Sequence, residues 1–178
     1  MRKLVFVFIF FSVAGFAQQD SQFTQYMYNT ININPAYAGS RGALSIFGLY
    51  RTQWVGLEGA PETSSFSVNT PLSNSNLGLG VSVVNDKIGP TNENTFSADL
   101  SYTVPTSATF KLSFGIKATA NLFNLDINKL DVKDQGDPQL QDLNNKFTPN
   151  VGAGIYFHSD KAYIGLSIPS FIESNRYN

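Results

Sequence analysis

Thr95-Phe96-Ser97-Ala98-Asp99-Leu100-Ser101-Tyr102-Thr103-Val104 is followed, after Pro105-Thr106-Ser107-Ala108, by Thr109-Phe110-Lys111-Leu112-Ser113-Phe114-Gly115-Ile116-Lys117-Ala118-Thr119-Ala120-Asn121. Both stretches alternate strictly. Phe96, Ala98, Leu100, Tyr102 and Val104 share one face of the first, with Ser97, Asp99, Ser101 and Thr103 on the other. In the second, Phe110, Leu112, Phe114, Ile116, Ala118 and Ala120 oppose Lys111, Ser113, Gly115, Lys117, Thr119 and Asn121. A period of two is that of a β-strand, whose successive side chains point to opposite faces. A soluble sandwich alternates in the same way, so the pattern by itself leaves the environment open. Length narrows it, because about ten residues fit a tilted strand crossing a bilayer.

The same reading predicts seven strands, at 43–53, 63–70, 76–85, 95–104, 109–121, 150–158 and 161–168. Leu77, Leu79, Val81 and Val83 oppose Gly78, Gly80 and Ser82. Val151, Ala153, Ile155 and Phe157 oppose Gly152, Gly154, Tyr156 and His158. Ala162, Ile164, Leu166 and Ile168 oppose Tyr163, Gly165 and Ser167. Glycine this frequent weakens a strand and suits a crowded or strongly curved inner wall. Connections at 71–75, 105–108 and 159–160 are short, and those at 54–62, 86–94 and 122–149 are longer, so the two kinds take turns. Up-and-down outer-membrane barrels sort their connections this way, with short turns in the periplasm and long loops outside. The expected fold is therefore all-β, an antiparallel up-and-down transmembrane barrel, incomplete at about seven strands. Tyr50, Trp54, Tyr102, Phe157 and Tyr163 near strand ends suit an interfacial aromatic girdle.

The N-terminus reads as an export signal. Arg2 and Lys3 precede an apolar run from Leu4 to Phe11, and small residues at Gly15 and Ala17 place cleavage after Ala17. The expected organisation is a signal peptide at 1–17, an N-terminal lead-in segment at the periplasmic mouth at 18–42, and a partial outer-membrane barrel at 43–178. The sequence holds no cysteine, which excludes disulfides, thiolate metal ligands and a lipidated N-terminal cysteine. Of 12 basic and 13 acidic residues, two basic ones lie in the signal, so the exported chain is mildly acidic. That excludes the basic surface of a nucleic-acid binder.

Catalytic chemistry finds no footing. His158 is the single histidine and has no nucleophile motif beside it. One histidine cannot make a two-histidine metal site. Asp131, Asp134, Asp137 and Asp142 with Gly136 have the outline of a calcium loop, but Lys133 and Gln135 fall where oxygen ligands belong. A solvated acidic loop is the expectation, with no catalytic residue, metal or cofactor. One polar pairing is expected inside the barrel: with Asp99 opposite Gly115 across the 105–108 turn, Lys117 lies diagonally from Asp99 on the same face.

Gln22-Phe23-Thr24-Gln25-Tyr26-Met27-Tyr28-Asn29 leads into Ile33-Asn34-Pro35-Ala36-Tyr37-Ala38-Gly39-Ser40, then Arg51-Thr52-Gln53-Trp54-Val55-Gly56 and Gly59-Ala60-Pro61-Glu62-Thr63. Two ordered blocks at this spacing closely resemble the PorP/SprF family of outer-membrane proteins from Bacteroidetes, and Gly-Leu-Ser-Ile-Pro-Ser at 165–170 is similar to a mid-barrel strand of that family. The resemblance implies a non-enzymatic barrel of the type IX secretion and gliding machinery. Its implied partners are outer-membrane lipid, type IX components, and a large secreted surface adhesin that it helps attach or display. A porin-like solute channel is the alternative, suggested by the polar inner face, and a soluble secreted β-domain is a third. The motif residues are Gln22, Phe23, Gln25, Tyr26, Asn34, Pro35, Ala36, Tyr37, Gly39, Arg51, Gln53, Trp54, Gly59, Pro61 and Thr63. The family also implies a chain nearly twice this length. Seven strands do not close an even-numbered barrel, and 169–178 finish no strand, so the chain reads as an N-terminal fragment.

Overall fold

The computed structural model describes residues 28–126 and 143–172, with the side chains of 143–145 excepted. Two 3-10 turns, Thr30–Asn32 and Pro35–Tyr37, precede seven strands: β1 Ser45–Thr52, β2 Glu62–Pro71, β3 Leu77–Ile88, β4 Thr91–Pro105, β5 Lys111–Leu125, β6 Leu143–His158 and β7 Tyr163–Ile168. They form one sheet in the order β1-β2-β3-β4-β5-β6-β7, each strand antiparallel to the next. This is the up-and-down order of a barrel wall, left open between β1 and β7.

Because directly opposed residues share a face, the register sorts the wall into rows. Outward rows run Phe66–Val83–Phe96–Ala120, then Val68–Val81–Ala98–Ala118–Val151, then Leu79–Leu100–Ile116–Ala153–Ile168, then Leu77–Tyr102–Phe114–Ile155–Leu166, then Val104–Leu112–Phe157–Ile164. Tyr50 on β1 and the Leu122–Phe147 pair flank this belt on one side. Beyond them lies a polar row, Thr52–Glu62–Lys87–Asn92–Asn124. At about 3.3 Å per residue and a tilt near 40°, the apolar rows span about 25 Å, the height of the band that outer-membrane barrels present to lipid. No helix among the described residues is long and apolar enough to cross a membrane, so this surface belongs to strands.

Two expected loops are largely strand. The connection placed at 86–94 is only 89–90, since β3 runs to Ile88 and β4 starts at Thr91. Here both faces turn polar and alternation stops, but the backbone ladder continues. Asn85 Nδ2 donates to Asn92 Oδ1 at 2.7 Å and to Asn94 Oδ1 at 2.8 Å, tying the two strands together. Short and long connections therefore do not strictly alternate. The loop placed at 122–149 likewise contracts to 126–142, and its acidic stretch lies outside the described residues. Two of the three connections at one end remain long, 53–61 and 126–142, while 89–90 is a tight turn. Connections 53–61, 89–90 and 126–142 share one end, the long-loop end, and 72–76, 106–110 and 159–162 share the other.

Tyr163 is also corrected. It pairs with His158 and packs its ring 5.5 Å from that of Tyr156, on the inner face. Tyr50, Tyr102 and Phe157 do project outward.

Candidate functional site

The inner face is polar and carries most of what is buried. Ser65, Ser67, Asn69, Ser82, Asp99, Ser101, Ser113 and Lys117 are all buried. The segment from Asn29 to Gly39 covers them and lies along the concave side of the sheet as a strap. Asn29 bonds Ser65 and Ser67 on β2, whereas Asn34 Nδ2 donates to the Ile155 carbonyl on β6 at 3.0 Å. Four strand spacings in a flat sheet are about 19 Å. A stretch of these few residues containing a 3-10 turn rises only about 10 Å, so the sheet must curl around it.

The strap's shape follows from its sequence. Asn34 is extended, as a residue before proline must be, and its Oδ1 accepts from Ala36 N at 3.0 Å. Pro35 opens the second turn, where its missing N–H costs nothing. Gly39, at φ 70°, takes a left-handed conformation that releases the chain toward β1.

Glycines on the wall make the seat. A Cβ at Gly78 would strike the Ala38 carbonyl, one at Gly80 the Ile31 side chain, one at Gly115 the backbone of Pro35 and Ala36, and one at Gly154 the Asn34 side chain. At all four glycines strap atoms thus occupy the space that a side chain would fill, and Ile31, Ala36 and Ala38 are almost wholly enclosed. Hydrogen bonds fix the register. Asn29 Nδ2 donates to Ser65 Oγ at 3.0 Å, Ser67 Oγ donates to Asn29 Oδ1 at 2.8 Å, Asn32 Nδ2 donates to Ser65 Oγ at 3.1 Å, Ser101 Oγ donates to the Ala38 carbonyl at 2.6 Å, and Gly39 N donates to Asn69 Oδ1 at 3.2 Å. Tyr37 meets Tyr156 edge to face at 5.6 Å.

One cation binds strap to wall. Lys117 Nζ donates to the carbonyls of Ile31 at 3.0 Å and Asn32 at 2.8 Å, and lies 3.5 Å from Asp99 Oδ1. The structure brings Asp99 and Lys117 together, but in direct opposition and not diagonally. The expected register was two residues out, because the turn occupies 106–110. Thr106 N and Ser107 N both donate to the Phe110 carbonyl, and Phe110 N donates to Ser107 Oγ. The Asp99 side chain is 0% exposed and takes no hydrogen bond among the described residues beyond this ion pair. The pair is therefore a buried latch.

The motif residues divide between two places. Asn34, Pro35, Ala36, Tyr37 and Gly39 form the strap. Arg51, Gln53, Trp54, Gly59, Pro61 and Thr63 lie at the long-loop end, with Thr63 two residues along β2 from Ser65, the partner of Asn29 and Asn32. Gln53 N donates to the Pro61 carbonyl at 2.9 Å and closes the loop, and the Gly59 carbonyl accepts from Gly89 N at 2.9 Å on the neighbouring hairpin. Trp54 is exposed and held at φ 53°. Arg51 faces inward opposite Thr63, whose Oγ1 donates to Asp86 Oδ1 at 2.6 Å. Gln22, Phe23, Gln25 and Tyr26 lie outside the described residues. Sequence reasoning missed Asn29, Ser65, Ser67, Asn69 and Ser101 as partners of the strap. Their signal was small polar residues recurring on the face opposite the apolar belt.

Among the described residues no group of histidines and carboxylates could hold a metal ion. His158 sits on the inner face, its ring stacked 5.0 Å from Tyr156. The arrangement is a built peptide seat. Compared with known proteins, residues 15–178 match the model of a family described as type IX secretion system membrane protein PorP/SprF. No curated protein and no solved structure matches the chain.

Proposed function

The chain belongs to the PorP/SprF family of type IX secretion system membrane proteins, and on that premise we propose that it is a wall of an outer-membrane barrel that attaches or displays secreted partners and does not pass solutes. The observation that carries this reading is the occupied inner face. A diffusion channel needs a free, hydrated lumen, whereas here the strap is enclosed, locked by Lys117 and bonded to β2, β4, β5 and β6. Partners then meet the rims. The long-loop end offers a preformed surface in Trp54, Val55 and Leu57, three exposed apolar side chains on a loop closed by its own hydrogen bonds. Backbone held in a left-handed conformation at a large aromatic residue is the kind of local strain found at binding sites. The partners of this reading are type IX components and a large secreted surface adhesin, with lipid around the belt and an export signal at 1–17.

The test is a deletion strain assayed for surface-exposed type IX cargo and, in a motile host, for gliding. Loss of surface cargo with normal uptake of small solutes supports the attachment role. Normal cargo with impaired solute uptake rejects it in favour of the channel.

A further inference from the structure

The inner face has a second feature at its short-turn mouth. Lys111 on β5, His158 on β6 and Tyr163 on β7 stand directly opposed across the ladder, so their side chains share the inner face. Tyr156 is the next inner-face residue along β6. Its ring lies 5.0 Å from the His158 imidazole, 5.5 Å from Tyr163 and 5.6 Å from Tyr37 of the strap. Tyr156 is buried, whereas Tyr163 is 60% exposed. Together they make an aromatic cup, with Tyr156 as its floor and Tyr37 and Tyr163 at its rim.

The bonds that Asn29, Asn34 and Ala38 make with the wall stop short of this row. His158 is only 8% exposed, and its Nε2 is buried with no hydrogen-bond partner among the described residues. Buried polar groups are ordinarily paired, so the imidazole holds an unused bond. The side chains flanking it, Lys111 and Tyr163, are both exposed.

Charge at this mouth is mainly positive. Arg41, where the strap leaves for β1, acts on Tyr156, and Lys111 acts on His158. Lys161 adds a third cation, and Asp160 is the one acid among the described residues of this end. The turns at 72–76 and 106–110 carry no charge. At the long-loop end acids outnumber bases, through Glu58, Glu62, Asp86, Glu93 and Asp126. An acidic chain is thus attracted to the short-turn mouth and repelled from the other.

We propose that the cup binds a carboxylate of an acidic peptide segment: Lys111 and Arg41 meet its charge, the rings of Tyr37 and Tyr163 pack its apolar stems, and His158 donates Nε2–H to a carboxylate oxygen as Lys111 and Tyr163 part. On the orientation proposed above, with long loops outside, that segment belongs to a periplasmic partner.

His158 is the single histidine, so it reports on its own site. The full protein, with isotope-labelled histidine and no histidine tag, is held in detergent micelles at low salt and titrated with hexaglutamate, with hexaglutamine as the uncharged control. Hexaglutamate is expected to move the His158 imidazole signals saturably, and hexaglutamine to leave them in place. Lys111→Gln is expected to weaken that binding about fivefold. Tyr163→Ala, which leaves the charge unchanged, should weaken it about threefold. Arg41→Gln gives the same reading if Lys111→Gln fails to assemble. Unmoved His158 signals, or an equal response to hexaglutamine, overturn the proposal. Weakening by Lys111→Gln without weakening by Tyr163→Ala reduces the effect to diffuse surface charge and overturns the cup. Ser107→Cys in the 106–110 turn tests the orientation separately, with a membrane-impermeant maleimide. Labelling only after the outer membrane is opened supports a periplasmic partner, and labelling on intact cells overturns that partner even where the titration succeeds.

Discussion

Lys117→Met removes the latch while keeping the length of the side chain. It takes away the ammonium 3.5 Å from Asp99 and the donor to the Ile31 and Asn32 carbonyls. Asp99 is then an unpaired carboxylate with a wholly buried side chain. Removing one member of a buried ion pair costs about 3–5 kcal/mol, mostly because the remaining charge has no compensation. Taking about 4 kcal/mol as the weakening of the strap, its opening equilibrium rises about a thousandfold, at about 1.4 kcal/mol per decade. Hydrogen exchange of peptides covering 29–39, measured in detergent micelles or liposomes, reads that opening directly. Asp99→Leu/Lys117→Met is the control. With both charges gone the burial penalty disappears, so the double variant is expected to exchange more slowly than Lys117→Met alone, though the two carbonyls still lack their donor. Strap exchange in Lys117→Met within a factor of about three of the native protein would refute the latch, since that corresponds to under about 1 kcal/mol.

Gly115→Ala is expected to cost about 1–3 kcal/mol by forcing its methyl group into the Pro35–Ala36 backbone, whereas Gly48→Ala, with open space around it, should stay within about 0.5 kcal/mol; heat-modifiable gel migration compares the two. Ile116→Arg, in the middle of the outward apolar belt, should lower stability in liposomes by about 2–4 kcal/mol, and Thr52→Arg, in the polar row beyond the belt, by no more than about 1 kcal/mol. Equal effects in urea titrations would argue against a lipid-facing belt. Trp54→Gly relieves a left-handed conformation that costs a bulky residue about 1–2 kcal/mol, so the barrel should assemble normally while surface cargo falls; normal cargo levels would remove Trp54 from the partner surface.

The centres of the strands were legible because one face is apolar and the other polar from Leu77 to Val83 and from Phe96 to Val104. Their ends at the long-loop side were not. Asn85, Asp86, Lys87, Asn92, Glu93 and Asn94 are polar on both faces, and period two carries no signal where neither face meets lipid. The Asp99–Lys117 face was readable but its register was not, because turn length fixes pairing and the Ser107–Phe110 bonds that close the turn have no pattern of their own. The seat was half visible. Recurrent glycine on the inner face announced crowding, but the object crowding it, 29–39, is far away in sequence and was expected at the barrel mouth. Asn34, Pro35 and Gly39 were picked out by the family motif, and their pairing with Ile155, Gly115 and Asn69 became visible only once the sheet curled.

Conductance across a planar bilayer tests the central claim most directly. The full protein, purified from outer membranes and reconstituted, should give no large steady conductance while the strap is seated, and deletion of 29–39 should produce one in preparations that still show barrel-like heat modifiability. A large, steady pore from the native protein would contradict a filled interior and return the wall to the role of a solute channel.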